Sequence, residues 1–300
     1  MRDRLKAIRE AAAPLAEAAG EKPRAVPGFV ASLRAVRESS SDASTTPQAA
    51  FTGKIAVVAI TRHGVALGGK IVHALPGAQF HVPEKFGAQA EGEAPGAVQT
   101  YAGKTGDQLG RLFGEVDAIV AIFSLGALVR LIAPHLKSKE ADPAVVVLDE
   151  HGQFVIPMLS GHLGGANALA GHLAAKLGAT PVLTTASDVR ETLAVDLLGR
   201  ELGWTLDASH EALVHASAAV VNDEPVALIQ KVGSPDWWPR HANGRSGPLP
   251  ANLICFDRLE DVDPARFAAV LWISRRTLPE NYAAALAGRC VTYRPPGDAA

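Results

Sequence analysis

Residues 144–188 read AVVVLDEHGQFVIPMLSGHLGGANALAGHLAAKLGATPVLTTASD. Two β-branched apolar runs flank a His-Gly turn, and the second empties into the glycine corner SGHLGGAN (160–167). An Ala/Leu stretch at helical spacing follows, then another apolar run. The order is strand, hairpin, strand, glycine corner, helix, strand. In open α/β sheets ligands sit at the carboxyl ends of strands, so this stretch sets the fold class and the first place to look for chemistry.

Working outward, KIAVVAI (54–60) reads as a buried strand that ends at Thr61-Arg62-His63-Gly64 and leads into a helix near 65–75. A second strand covers 79–82, a Gly/Pro-rich loop 87–103, a helix 106–116 and a strand 118–123. In 124–136, Leu125, Leu128, Val129 and Ile132 recur at i, i+3, i+4 and i+7, which predicts one buried helix face with Arg130 off it. After the glycine corner, Leu163, Ala166, Ala170, Leu173 and Leu177 share a face, His172 points away and Asn167 lies beside the stripe. Strands apolar on both faces alternating with helices predict an α/β fold, a largely parallel sheet flanked by helices.

Beyond Val189, TLAVDLLGRELG and EALVHASAAVVND are helical patterns. Strand-like PVALIQ, LICFD, AVLWIS and CVTYRP follow, with a helix near 280–288, predicting a second, smaller α/β domain. Its long loop 233–250 carries Trp237 and Trp238, read as a cap or an interface. The predicted organisation is an N-terminal extension and linker over 1–50, with an interrupted helix at 3–19 and a polar segment at 38–50. An α/β domain over 51–189 and the smaller domain over 190–300 follow.

The 300 residues are 48% apolar and 20% charged, with a formal charge of -2, a soluble globular make-up without the basic excess of nucleic-acid binders. No apolar run approaches a membrane span, and Asp3 and Glu10 interrupt any signal peptide, so a cytoplasmic protein with a mature N-terminus is expected. Two cysteines without CxxC spacing, and no HxxxH or HExxH among the histidines, give neither a disulfide framework nor a protein metal site.

The candidate site gathers three strand-to-helix corners. Ser160 is placed as helix N-cap, with first-turn N–H groups and Gly161, Gly164 and Gly165 open to a carboxylate or phosphate, or else to close helix–sheet packing. His162 is a proton carrier or a packing residue, and Asn167 ties loops together or holds a substrate oxygen. Ser124, Gly126 and Arg130 form a neighbouring corner where the guanidinium can fork onto a carboxylate. Thr184, Thr185 and Asp188 make a third loop, on the same rim if the strands are parallel. Asp149 and Glu150 read as a solvated hairpin turn. Absence of GxGxxG, of a P-loop and of GxSxG leaves nucleotide binding and covalent catalysis without motif support.

The stretch VRLIAPHLKSKEADPAVVVLDEHGQFVIPMLSGHLGGANALA (129–170), with LGATPVLTTASD (177–188), IAVVAITRHG (55–64) and VPEKF (82–86), resembles the cobalamin-biosynthesis protein CbiG family. These are the cobalt-precorrin 5A hydrolases, and the likeness runs from about 54 to 296. It implies hydrolytic opening of the ring-A δ-lactone of a cobalt corrinoid, releasing acetaldehyde to give cobalt-precorrin 5B. Cobalt then arrives within the substrate, and no separate cofactor is implied. Catalytic roles fall to His162, as activator of water, and Asn167, with glycine-corner N–H groups as oxyanion donors. Ser124, Gly126, Arg130, Ser160, Gly161, Gly164, Gly165, Thr184, Thr185 and Asp188 are expected to bind substrate.

Family members usually continue past the YRP segment into a third domain, which a separate polypeptide could supply here; residues 1–50 fall outside the family pattern. Partners are thus the corrinoid, a C-terminal-domain protein or neighbouring pathway enzymes, and a second copy in a homodimer. The rival reading is a corrinoid-binding subunit without turnover. A nucleotide-binding regulatory domain ranks last.

Overall fold

A computed structural model describes residues 51, 53–138, 141–239 and 247–297. The expected helix at 3–19 and polar segment at 38–50 lie outside the described residues. Among the described residues no helix is long and apolar enough to cross a membrane.

The first sheet has seven strands: β1 (Ile55–Ala59), β2 (Gln79–Pro83), β3 (Val98–Tyr101), β4 (Ala118–Ile122), β5 (Ala144–Leu148), β6 (Phe154–Leu159) and β7 (Thr180–Pro181), in the order β3-β2-β1-β4-β5-β6-β7. Strands β1 to β5 are mutually parallel. Strand β6 runs antiparallel to β5, and β7 runs parallel to β6. Every residue of β1, β4 and β5 is buried because helices cover both faces. Ile55, Val57 and Ala59 join one apolar cluster with α1 (Arg62–Ala74), while Ala56 and Val58 join another with α3 (Thr105–Glu115) and α4 (Leu125–Ile132). The β5–β6 register shifts between Val145, opposite Leu159, and Val146, opposite Pro157. Met158 is thus an extra residue, and the bulge accommodates a proline that has no N–H for the ladder.

Four local expectations change. The segment 87–103 is not a loop: it forms α2 (Gly87–Glu93) and then β3, whose residues pair with β2 from Phe80–Val98 to Pro83–Tyr101. Partner strand β2 supplies order that VQTY could not encode alone. The predicted helix at 192–203 is instead two 3₁₀ turns, Val195–Leu197 and Arg200–Leu202. Gly199 breaks it at φ 74°, where a Cβ would stand 2.1 Å from the Trp204 ring. Only Leu128 and Ile132 of the predicted α4 stripe are buried; Leu125 and Val129 are 41% and 47% exposed. The expected face is therefore narrower, and two apolar side chains remain on the surface.

The fourth change concerns the tryptophans. The second sheet runs β10-β9-β11-β12-β8, from β8 (Thr205–Asp207), β9 (Val226–Gln230), β10 (Leu253–Phe256), β11 (Ala269–Ile273) and β12 (Cys290–Arg294), with β8 antiparallel at one edge. Trp237 and Trp238 are buried in its core, beside Leu228 and Leu271, rather than at an interface. Trp237 Nε1 donates to Gln230 Oε1 at 2.7 Å and Trp238 Nε1 to the Gly247 carbonyl at 2.8 Å, which satisfies both indoles.

Candidate functional site

The three predicted corners do not share one rim. Leu159, which precedes the glycine corner, pairs with Val145 near the amino end of β5, and Val145 pairs with Ile119 at the amino end of β4. Ser124 follows Ile122 at the carboxyl end of β4. At about 3.3 Å per strand residue, the two corners stand roughly 16 Å apart along the strands. Strand reversal at the hairpin is the cause: β6 and β7 deliver SGHLGGAN and TTASD to the edge where β1 to β5 begin. So Ser160, Gly161, His162, Gly164, Gly165, Asn167, Thr184, Thr185 and Asp188 gather at the amino edge, while Ser124, Gly126 and Arg130 lie at the carboxyl edge.

The amino-edge corner closes on itself. Helix α5 (Ala166–Leu177) starts after Gly165, which sits at φ 84° as its N-cap. Ser160 is therefore not the cap: it has φ 54°, and its hydroxyl donates to the Asp142 carbonyl at 2.9 Å. The N–H groups of Gly165, Ala166 and Asn167 donate to the carbonyls of His162, Ser160 and Gly161 at 3.0, 3.2 and 3.0 Å. These are the donors that an oxyanion hole would need, and they are committed within the loop. A Cβ on Gly164 would meet Ser160 Cβ at 2.4 Å and its carbonyl at 2.7 Å, so the glycine serves close packing.

Asn167 is 5% exposed. Its Nδ2 donates to Thr185 Oγ1 at 2.9 Å and Asp188 Oδ2 at 2.7 Å, and Thr185 Oγ1 also donates to Asp188 Oδ2. Thr184 is exposed beside this knot. His162 Nε2 lies 3.4 Å from Asp188 Oδ2 and 3.1 Å from Ser187 Oγ, and Nδ1 lies 3.3 Å from Asp196 Oδ1. Hydrogen bonds to Asp188 and then Asp196 outweigh burial and push the imidazole up to about 9. Burial raises Asp188, but hydrogen bonds from His162, Thr185 and Asn167 prevail and hold it well below the usual carboxylate range.

The order Ser187–His162–Asp196 has the connectivity of an acyl-transfer relay, but a second carboxylate on Nε2 keeps the ring cationic near neutrality. The raised imidazole disfavours the neutral ring that activation of water requires, and Ser187 is buried. Burial likewise pushes the thiols of Cys255 and Cys290 up to about 11, so neither is a thiolate nucleophile. Asp196 and Ser187 escaped sequence reasoning, as did Arg200, which donates to the Leu163 and His162 carbonyls at 2.9 and 3.3 Å. No motif signals them, because their partners come from distant segments.

The carboxyl edge is built differently. The strand order reverses between β1 and β4, so the loops after those strands flank a topological switch point. Thr61 caps α1, accepting from the Gly64 N–H at 3.1 Å while its hydroxyl donates to Glu150 Oε1 at the hairpin. Asp149 Oδ1 accepts the His151 N–H, and Oδ2 those of Gln153 and Phe154, which makes the hairpin turn self-contained. Burial of Asp149 is outweighed by these bonds, and its carboxyl stays below its ordinary range. The Ser124 carbonyl takes the Ala127 and Leu128 N–H groups at the start of α4, and Arg130 Nη1 reaches back to the Gly126 carbonyl at 2.8 Å. An open pocket of about 320 Å³ lies against α1, lined by His63, Ala66, Leu67, Lys70, Glu150 and His151.

Residues 107–188 match the family model for the N-terminal part of cobalamin synthesis protein G, and 193–295 match the cobalamin biosynthesis central region. A cobalt-precorrin-5A hydrolase from Priestia megaterium is 40% identical over 243 residues, covering 81% of this chain and 63% of that protein. A protein of the same name from Salmonella typhimurium is 38% identical over 227 residues, 75% of this chain and 60% of its own length. The chain thus spans somewhat under two thirds of these relatives. The two family models follow one another from α3 to the last strand, and the chain belongs to the cobalamin synthesis G family, of which it carries the N-terminal and central regions.

Proposed function

We propose that this chain acts in hydrolysis of cobalt-precorrin 5A, opening the ring-A δ-lactone and releasing acetaldehyde to give cobalt-precorrin 5B. The observation that carries this reading is the 40% identity with a cobalt-precorrin-5A hydrolase over 81% of the chain. The substrate is a flat cobalt macrocycle edged with carboxylates, and its metal comes with it. The amino-edge cluster serves this reading as a frame: His162, Asn167 and Asp188 hold the glycine corner against the 185–200 segment. The test is acetaldehyde release by the purified chain from cobalt-precorrin 5A, read through a coupled alcohol dehydrogenase. Turnover supports the reading, and intact lactone after prolonged incubation counts against it.

One observation favours the second reading, a corrinoid-binding subunit that needs a separate protein for turnover. The groups first in line for chemistry, the His162 ring and the N–H groups of Gly165, Ala166 and Asn167, are already bonded within the protein. Binding of the corrinoid with a spectral change, no acetaldehyde, and turnover restored by the C-terminal part of a longer relative would select it.

A further inference from the structure

We propose that the carboxyl edge of the first sheet, at the β1/β4 switch point, binds the carboxylate arms of the macrocycle, with Arg62 and Arg130 as the principal cations. The inference rests on the corrinoid reading above and locates its binding site away from the glycine corner. Three observations converge on it. The reversal of strand order leaves a crevice between the loop 60–64 and the loop 123–126, the place where open α/β sheets take ligands.

The second is charge without partners. Arg62 and His63 follow β1, Lys85 follows β2, Lys104 follows β3 and Arg130 stands one turn into α4; all are exposed and none forms an ion pair among the described residues. At the amino edge, by contrast, the His162 cation already has two carboxylates. Two acids of the carboxyl edge are engaged, Glu150 by Thr61 and Asp149 by three backbone N–H groups, while exposed Glu84 and Asp107 stand near Lys85 and Lys104. Arg62 and Arg130, which pair with no acid among the described residues, are left to an outside anion. Arg130 is held at this corner by its bond to the Gly126 carbonyl, which leaves further N–H groups for a carboxylate.

The third is mixed surface chemistry. Leu125 and Val129 leave apolar area exposed on the helix that carries Arg130, and the pocket against α1 combines Ala66 and Leu67 with His63, Lys70, His151 and Glu150, whose Oε1 is taken by Thr61. A polycarboxylate with a flat apolar ring needs both kinds of contact. The pocket is sized for one or two arms and not for a whole macrocycle, so the ring would lie across the edge with its arms directed inward.

The experiment is an absorbance titration of the full chain with cobyrinic acid, a polycarboxylate cobalt corrin, and with its fully methyl-esterified form. Saturable binding of the acid, clearly tighter than that of the ester, is expected. The double variant Arg62→Ala/Arg130→Ala should weaken it by about tenfold or more, as loss of charge-assisted hydrogen bonds does. Arg258→Ala, in an exposed pair with Glu260 beyond β10, should leave it within about twofold. Acid and ester binding alike, an unchanged double variant, or no binding by the wild type would overturn the proposal. Failure of the activity reading is separable: absent acetaldehyde with binding that maps to Arg62 and Arg130 sinks the hydrolase and keeps the site. Turnover with unchanged KM in the double variant does the reverse.

Discussion

The two edges of the first sheet make a contrast. The amino edge carries the glycine corner, and there nearly every polar group has an internal partner: Asn167 with Thr185 and Asp188, His162 with Asp188 and Asp196, Ser160 with Asp142. The carboxyl edge carries Arg62, Lys85, Lys104 and Arg130, none of them in an ion pair among the described residues, beside a pocket and exposed Leu125 and Val129. A specific motif thus need not be a ligand site; it can be a joint whose geometry tolerates few residues. Substitutions at the amino edge should cost stability, and those at the carboxyl edge should cost binding.

The largest effect is expected from Asp188→Ala. It strips the cationic His162 of one carboxylate and Asn167 of an acceptor, and breaking a buried pair costs about 3–5 kcal/mol. Urea unfolding followed by circular dichroism checks it; a loss below about 1 kcal/mol would mean that the cluster is not a structural joint. Gly164→Ala comes next, at about 1–3 kcal/mol, because its methyl would stand 2.4 Å from Ser160 Cβ and the corner must shift. Thermal melts at matched concentration read this, and an unchanged midpoint would show that the corner yields.

A pH series sharpens the same point. The His162 ring is raised from 6.5 to about 9 in the folded protein, so its contribution, on the order of 3 kcal/mol, is fully present below about pH 6.5. It declines as pH rises and is gone once pH passes about 9. His162→Gln should flatten this alkaline fall. Asp188, held low in the folded state, adds stability that is lost as pH drops into the acid range. The smallest effect is expected on the other side: Arg62→Ala and Arg130→Ala should each change stability by no more than about 0.5 kcal/mol, as exposed side chains do. A loss above 2 kcal/mol at either would place them in a structural network and erase the contrast.

Periodicity and punctuation made much of this molecule legible. Buried strands such as IAVVA and AVVVL, the hairpin at the His-Gly turn and the helix after the glycine corner follow from runs of β-branched residues and from Gly placement. Asn167, beside an apolar stripe, needs a hydrogen-bond partner, and a tie between loops is one of the two readings its position leaves open. Less legible were β3, ordered by pairing with β2, and the 3₁₀ turns at 195–202, set by Gly199 packing on Trp204.

The sequence by itself determined the class of fold, the sites of turns and the family, because these rest on local patterns that survive without knowing what lies next to what. Tertiary structure alone decided the rest. The antiparallel turn between β5 and β6 sent the glycine corner to the opposite edge from Arg130, and Asp188 together with Asp196 set His162 between two carboxylates that push its imidazole up. Strand direction and charge pairing are relations between remote segments, and no local spacing contains them.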